Sequence, residues 1–319
     1  MKALLCKPTL VMGARGNVGS YVLDQLVAAG LPVRASTRRP EPGQFPLGLD
    51  VRAADLTDAA SLRSAFDGVG QVFLYANHNG VEGVVDSARA AGVERIVLMS
   101  SGSVIHPTSA GNAITEQHRA VEVAFAAAVD LKVIPIHPLV LASNALWWAR
   151  SIRANGSIAL YQPDALTAPI HEWDIAAVAV SALTGNELPS VSGLLTGPER
   201  ISQRAQVAII AMATGREVQV LELSRSEALE QFVRYMSMGE VEAVLQFIDD
   251  AAAGNSPATS TVEQLLGRPA IAFETWTRDH IADFSQGPKH QQRDTEARLN
   301  EASKKGIRCP RDSLQIIFH

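Results

Sequence analysis

Cysteine, long apolar runs and a basic surface are all scarce in this sequence. The 319 residues include only two cysteines, Cys6 and Cys309, which excludes a disulfide framework and fits a reducing compartment. No stretch approaches the roughly twenty apolar residues that cross a bilayer. The apolar run at 1–12 leads straight into a glycine turn and is too short for a secretory segment. We therefore expect a cytoplasmic protein with no membrane partner.

The charge balance argues against nucleic acid as a partner. The formal net charge is -5, so the chain lacks the basic footprint that a phosphate backbone requires. Hydrophobic residues make up 47% and charged residues 19%, which is typical of a soluble globular protein large enough to bury a sizeable core. We expect a small-molecule substrate and a monomer or homodimer.

A glycine-rich turn follows the first apolar run. Gly13, Gly16 and Gly19 lie three residues apart, a spacing that allows a sharp turn, close approach of a pyrophosphate and tight packing of the next helix. Apolar residues at helical spacing follow, and Gly30 with Pro32 ends that helix before a second strand at 32–37. This context predicts a dinucleotide site, although the same glycines also suit a purely structural turn. The expected contacts in the turn are Gly13, Arg15, Gly16, Asn17, Val18 and Gly19.

The end of the second strand indicates which coenzyme is bound. A carboxylate near this position binds the ribose 2'-hydroxyl of NAD, whereas here Thr37 is followed by Arg38 and Arg39. Guanidinium groups match phosphate geometry, so NADP(H) is preferred and NAD(H) remains possible. The alternative is a pair of solvated arginines in a turn before Pro40.

Strands and helices then alternate regularly as far as residue 136. Nearly continuous apolar runs at 72–76 and 95–99 are typical of parallel strands covered on both faces. The pattern predicts an α/β fold with a doubly wound parallel (Rossmann) sheet. Ligands bind at the carboxyl ends of such strands, although Asp55 could equally cap the next helix. The coenzyme contacts expected at these strand ends are Asp55, Leu56, Ala76, Asn77, Ser100 and His137, with His78 in the substrate pocket.

Several motifs together resemble the NmrA-like branch of the atypical short-chain dehydrogenases/reductases. They are the segments at 13–19, 38–40, 54–56, 99–101, 118–122, 143–145 and 169–176. The similarity runs from about Leu10 to Phe284, and it implies a C-terminal portion that closes over the nicotinamide and sets substrate choice. We expect an NADP-binding domain at 1–138, a smaller, partly interwoven α/β substrate lobe at 139–284, and a poorly ordered polar tail at 285–319.

The catalytic group is less evident. Ordinary members of the superfamily use a tyrosine with a lysine four residues on, and no such pair follows Ser101. Ser101 supplies a candidate serine. His118 is a candidate acid, with Glu122 four residues on along the same helix face. The alternative is an exposed helical pair. The family usually has arginine where His137 stands, so we interpret His137 as lining the pocket.

The second half supplies candidate substrate contacts. Asn144, Trp147 and Trp148 follow the sixth strand, where large aromatics suit an apolar slot, although adjacent tryptophans point in different directions and at least one is expected in the core. Asp174 is expected to start an apolar helix at 175–183 that ends at Gly185. A strand at 193–196, a helix capped by Ser202 and ended by Gly215, and a strand at 218–223 are expected to complete the lobe. No metal-ligand spacing is visible.

Two functions are compatible with these observations. The first is an NADPH-dependent oxidoreductase that transfers hydride to a small, largely apolar quinone or carbonyl compound; the resemblance includes quinone reductases that lack the tyrosine. The second is a non-catalytic sensor whose partner binding changes with coenzyme occupancy, as in regulators of this family. Sugar-nucleotide chemistry is a weaker third possibility, since it normally needs the missing tyrosine.

Overall fold

A seven-stranded parallel sheet forms the centre of the chain. The computed structural model describes residues 7–185 and 193–285. The strand order of the sheet is β3-β2-β1-β4-β5-β6-β9, and all of its pairings are parallel. Its strands are β1 Thr9–Val11, β2 Val33–Thr37, β3 Asp50–Ala53, β4 Gln71–Tyr75, β5 Arg95–Met99, β6 Lys132–Pro138 and β9 Leu194–Leu195. The predicted doubly wound Rossmann sheet is therefore confirmed.

Helices cover both faces of this sheet. The described residues form the helices α1 Gly19–Ala28, α2 Ala59–Phe66, α3 Val81–Ala91, α4 Ala113–Ala126, α5 Ala149–Asn155, α6 Glu172–Thr184, α7 Gln203–Thr214, α8 Arg225–Phe232, α9 Met238–Ala252, α10 Thr261–Leu266, α11 Phe273–Asp279 and α12 Ile281–Ser285, of which α1–α4 and α6 cover the sheet. Alternate strand residues point to opposite faces. Phe73 and Val97 pack with α1 and α6, whereas Val72 and Ile96 pack with α2, α3 and α4. Burial on both faces explains the continuous apolar runs.

Local signals define several helix ends. The Asp58 side chain accepts a hydrogen bond from the Ala60 amide and caps α2, while Ser202 accepts from the Ala205 amide and caps α7. Gly215, at φ +65°, ends α7 in the left-handed conformation that glycine favours. The predicted start and end of α7 are thus both confirmed.

The second half of the chain contributes directly to the central sheet. Strand β9 pairs with β6, with Leu194 opposite His137, so the strand expected at 193–196 belongs to the main sheet and its assignment to the lobe was wrong. Two small sheets remain outside it: β7 (Ser157–Tyr161) pairs with β11 (Gln219–Leu223), and β8 (Leu166–Thr167) pairs with β10 (Ile201–Ser202). Residues 142–148 form a 3-10 helix that leads into α5. The boundary at 138/139 stays a prediction.

Helix α6 joins the sheet to the C-terminal segment. It begins at Glu172, two residues before the predicted Asp174, because the His171 ring nitrogen Nδ1 accepts a hydrogen bond from the Trp173 amide and caps the helix. Asp174 accepts hydrogen bonds from Arg268 (2.7 Å) and from the Ile271 amide (2.6 Å). At the other end of α6, the Arg95 guanidinium of β5 donates to three main-chain carbonyls, those of Ala182, Leu183 and Gly185.

Within 7–185 and 193–285, no helix has the length and apolar character needed to cross a bilayer. Apart from Ser285, the tail predicted at 285–319 lies outside the described residues.

Candidate coenzyme and substrate site

The glycine turn is built as a close contact between β1 and α1. Gly13 adopts φ +62°, and its carbonyl oxygen accepts a hydrogen bond from the Gly16 amide at 2.8 Å. A Cβ added to Gly19 would lie 2.4 Å from that same Gly13 oxygen, so no larger residue fits without moving the backbone. The third glycine therefore lets the start of α1 approach the turn, as the sequence predicts.

The start of α1 is suited to an anion. Val18 occupies the N-cap position and makes no side-chain capping hydrogen bond, so no carboxylate of the cap residue opposes the positive end of the helix dipole. Gly13 and Arg15 are exposed, and Gly16 and Asn17 are partly exposed. Exposed backbone amides beside a helix N-terminus form an arrangement that holds phosphate groups. The predicted turn residues therefore lie together.

Tyr75, at the end of β4, supports the turn from below and was missed in the sequence. Its side chain fills the space that side chains on Gly13 and Gly16 would need: a ring carbon lies 2.9 Å from the ideal Cβ position of Gly13, and the hydroxyl oxygen lies 2.9 Å from that of Gly16. Its hydroxyl accepts hydrogen bonds from the amides of Gly19 (2.7 Å) and Val18. Burial raises the pKa of Tyr75 to about 12, so the phenol stays neutral. A tyrosine ending a buried strand needs a partner for its hydroxyl, and that was the available signal.

Both predicted arginines lie at the end of β2, beside the end of β3. Thr37 is partly exposed, and Arg38 and Arg39 are exposed. The Thr57 amide, which donates to Asp55 Oδ1 at 2.9 Å, is the main cause of a lowered pKa at the Asp55 carboxyl, and the charge of Arg38 contributes. Asp55 thus stabilises the turn after β3, while Asp58 caps α2. Both guanidinium groups remain placed at the edge where a 2'-phosphate is expected.

The segment after β4 was expected to line the coenzyme and substrate. Ala76 is buried, and Asn77 is partly exposed and accepts a hydrogen bond from the Asn79 amide at 2.9 Å. His78 is exposed, with its Nε2 atom 3.1 Å from the Asn79 side chain. Gly80 packs on the Leu56 carbonyl so closely that a Cβ would lie 2.1 Å from its oxygen. The ends of β3 and β4 are therefore held together at this edge.

A cluster of buried polar groups follows β5 and β6. The Ser100 hydroxyl donates to Glu122 Oε1, and His137 Nε2 lies 3.0 Å from the same oxygen. Burial alone would raise the pKa of the Glu122 carboxyl, but the hydrogen bonds from His137 and Ser100 outweigh it, and the net pKa is lowered. The sequence had assigned Glu122 a supporting role beside His118. Its carboxylate in fact contacts Ser100 and His137.

The two predicted catalytic residues lie nearby and are buried. Ser101 accepts a hydrogen bond from the Ser103 amide and so caps the short 3-10 helix at Gly102–Val104. His118 lies on α4 and is 6% exposed, which contradicts the alternative that His118 is an exposed helical residue. Their catalytic roles stay predictions.

The predicted substrate residues separate into exposed and buried positions. Trp147 is 44% exposed, and its ring lies 6.5 Å from that of Tyr235 between centroids. Trp148 packs against the apolar clusters formed around α5, α7 and β7, as expected for one of the two tryptophans. Asn144 is partly buried, on the 3-10 helix after β6. Trp147 and Asn144 therefore remain the candidates for substrate contact.

Two buried polar atoms near the end of β6 fit a ligand. His137 Nδ1 and Asn144 Oδ1 have no hydrogen-bond partner within the described ranges. Such atoms are uncommon in folded proteins, and a bound group often supplies the missing partner. Together with the glycine turn and the arginines at the end of β2, they match what a nicotinamide dinucleotide would need. No cluster of three metal-ligating side chains occurs in the same ranges.

Comparison with known proteins gives the family. The model of a family described as NAD(P)H-binding matches residues 13–186. The chain belongs to this family. A (4-alkanoyl-5-oxo-2,5-dihydrofuran-3-yl)methyl phosphate reductase of Streptomyces griseus subsp. griseus is 35% identical over 284 residues, which cover 86% of this chain and 99% of that protein. An NAD(P)H azoreductase of Xenophilus azovorans is 28% identical over 290 residues, with 86% and 98% covered.

Solved structures support the fold of this NAD(P)H-binding chain. An NADPH-dependent quinone oxidoreductase of Escherichia coli, complexed with NADPH, superposes with a TM-score of 0.70 at 21% identity and covers 85% of this chain and 99% of that one. The solved structure supports the fold, whereas the family match and the relatives named as reductases confirm the predicted resemblance, the NAD(P)H coenzyme and the assignment as an NAD(P)H-dependent reductase. The roles of individual site residues stay predictions.

Proposed function

We propose that this chain transfers hydride from NADPH to a small, largely apolar quinone or carbonyl compound without a Tyr–Lys pair. The observation that carries the proposal is the glycine turn at the start of α1, where Gly13 and Arg15 are exposed and the third glycine allows close approach of the helix. When bound there, the coenzyme supplies the hydride. The turn amides would hold its pyrophosphate, and Arg38 and Arg39 would hold the 2'-phosphate that distinguishes NADPH from NADH.

The named substrates of the relatives support an electron-poor acceptor. The Streptomyces griseus reductase is named for a carbonyl compound with a ring oxo group and an alkanoyl group, and the Xenophilus azovorans reductase for azo compounds. The Escherichia coli structure is named for quinones. Such acceptors stabilise the charge that hydride addition creates, so holding them in a dry site beside the coenzyme supplies much of the catalysis.

The walls of the acceptor site come from the carboxyl ends of β4 and β6. His78 follows β4, and Asn144 and Trp147 follow β6, so we propose that these three contact the acceptor. Ser101 and His118 are the sequence-based candidates for handling a proton. The Ser101 hydroxyl accepts a hydrogen bond from the Ser103 amide as a helix cap, and its oxygen also lies 3.0 Å from the Ser103 hydroxyl.

The test is coenzyme oxidation by the purified full chain. NADPH consumption is measured with a panel of quinones, aldehydes, ketones and unsaturated lactones, alongside calorimetric binding of NADPH. The matched negative control is Gly19→Ala, whose Cβ has no room in the turn. We expect turnover by the natural chain and none by the variant. Tight NADPH binding without reduction of any acceptor would refute the proposal and favour the sensor function.

A further inference from the structure

The cluster of Ser100, Glu122 and His137 combines three elements at the edge of the sheet where coenzyme and acceptor are expected. Ser100 directly follows β5, Glu122 lies on α4, and His137 lies near the end of β6. All three meet at one carboxylate oxygen, Glu122 Oε1. Ligands bind outside the carboxyl ends of strands in open α/β sheets. The cluster is therefore positioned for chemistry as well as for packing.

Glu122 fixes how the imidazole of His137 is protonated. The carboxylate is ionised and accepts from Ser100, so its contact with His137 Nε2 requires the ring to donate a proton from that nitrogen. A neutral His137 then carries its proton on Nε2 and a lone pair on Nδ1. Carboxylates orient catalytic and metal-binding histidines in the same way. The charge of Arg119, also on α4, further lowers the pKa of Glu122.

The second ring nitrogen of His137, Nδ1, takes no part in the contact with Glu122. The residue is 4% exposed, and Nδ1 has no hydrogen-bond partner within 7–185 and 193–285. Asn144 Oδ1, seven residues later, is in the same situation. A buried polar atom without a partner destabilises the fold, so its presence at a ligand-binding edge calls for a bound group to complete it.

We propose that His137 is the proton donor for carbonyl acceptors and that Glu122, held by Ser100, positions its ring. This role rests on the proposed function. A carbonyl carbon that receives hydride from NADPH gains a C–H bond, and its C=O π pair moves to oxygen. That oxygen takes the proton from Nδ1 of the imidazolium, giving an alcohol, neutral His137 and NADP⁺. Solvent then returns one proton to the imidazole.

Quinones provide the contrast that tests this assignment. A quinone spreads the added charge over its ring, so its reduction depends little on a protein acid, whereas an isolated carbonyl depends on one. Measured at saturating NADPH, His137→Gln should lower kcat for carbonyl acceptors by about 100-fold or more relative to kcat for quinones, whatever its effect on coenzyme affinity. His106→Gln is the control, since both ring nitrogens of that buried histidine have structural partners. It should leave the carbonyl-to-quinone ratio unchanged.

A measurement without turnover tests the Glu122–His137 pair separately. Nitrogen-15 shifts of the full, coenzyme-free chain should place the neutral-state proton of His137 on Nε2, and Glu122→Gln should abolish that preference. An Nδ1–H tautomer in the natural chain would overturn the proposal, even if His137→Gln failed to fold. Equal losses for carbonyls and quinones, no loss for either, or a natural chain that reduces quinones alone would also overturn it. If quinones alone are reduced, the proposed function survives, whereas a chain that reduces no acceptor at all defeats the proposed function itself.

Discussion

The substitution Tyr75→Phe tests whether the glycine turn depends on the tyrosine beneath it. The change removes one oxygen and keeps the ring in the space below Gly13 and Gly16. In the coenzyme-free chain, the buried amides of Val18 and Gly19 then lose their acceptor. A buried donor left unpaired costs about 1–3 kcal/mol. We expect the free energy of unfolding to fall by that amount, with Tm lower by about 2–4 °C for each kcal/mol.

The pH dependence of this effect has a definite sign. The pKa of Tyr75 is raised to about 12 in the folded chain, so its stabilising contribution is complete below pH 10 and is lost as pH rises from 10 to 12. Phenylalanine has no titratable group, so the difference in unfolding free energy between the natural chain and Tyr75→Phe should narrow between pH 10 and pH 12. The pKa of Tyr21 is also raised to about 12, but Tyr21 is present in both proteins and cancels in the comparison.

Urea unfolding of both proteins at pH 7 and at pH 11 measures these differences. Tyr235→Phe is the matched control, because that side chain is 49% exposed and its hydroxyl is expected to contribute little. A loss below about 0.5 kcal/mol at pH 7 for Tyr75→Phe, no larger than that of the control, would show that the hydroxyl does not satisfy the turn amides.

Three further predictions concern the same edge of the sheet. Replacing Arg38 and Arg39 together by alanine should weaken the binding of NADPH by at least about tenfold more than the binding of NADH in calorimetry, since each charge-assisted hydrogen bond to the 2'-phosphate contributes about 1.5–3 kcal/mol. Equal losses of affinity for the two coenzymes would contradict the phosphate assignment. Gly19→Ala should lower the free energy of unfolding by about 1–3 kcal/mol in urea, because its Cβ would meet Gly13 oxygen at 2.4 Å, and unchanged stability would exclude that clash. Because the pKa of Asp55 is lowered in the folded chain, its contribution to the free energy of unfolding is present above about pH 4 and is lost as the pH falls further. Asp55→Asn should therefore flatten the acid side of a plot of unfolding free energy against pH. The same acid slope in both proteins would argue against this contribution.

The central strands were predictable because their signals are local. Strands β1, β4 and β5 each lie in an apolar run bounded by turn residues, and the predicted bounds of β5 match the structure at Arg95–Met99. Helix α7 carries its own start and end signals in Ser202 and Gly215. Strand β9 has only Leu194 and Leu195, too few residues to show a period, and its place is decided by pairing with β6.

The glycine turn was predictable because local backbone geometry determines it, whereas the contacts of Tyr75 and Glu122 depend on tertiary packing and were missed. The glycine spacing dictates the turn, but nothing local shows that Tyr75 reaches its amides from a strand 56 residues away. Helical spacing placed Glu122 beside His118, whereas the docking of α4 on the sheet brings its carboxylate to Ser100 and His137. The His171 cap was missed because aspartate is the commoner start signal, and Asp174 is instead occupied by Arg268.

The packing of α6 limits how this protein can be dissected or recombined. A fragment ending at residue 138 would lack the helix that covers Phe73 and Val97, as well as the strand that borders β6. The Arg95 guanidinium would lose its three carbonyl acceptors at the same time. Grafting the later half onto another nucleotide-binding scaffold would therefore have to transplant part of the host's own core, so changes of substrate range are better sought by point substitution.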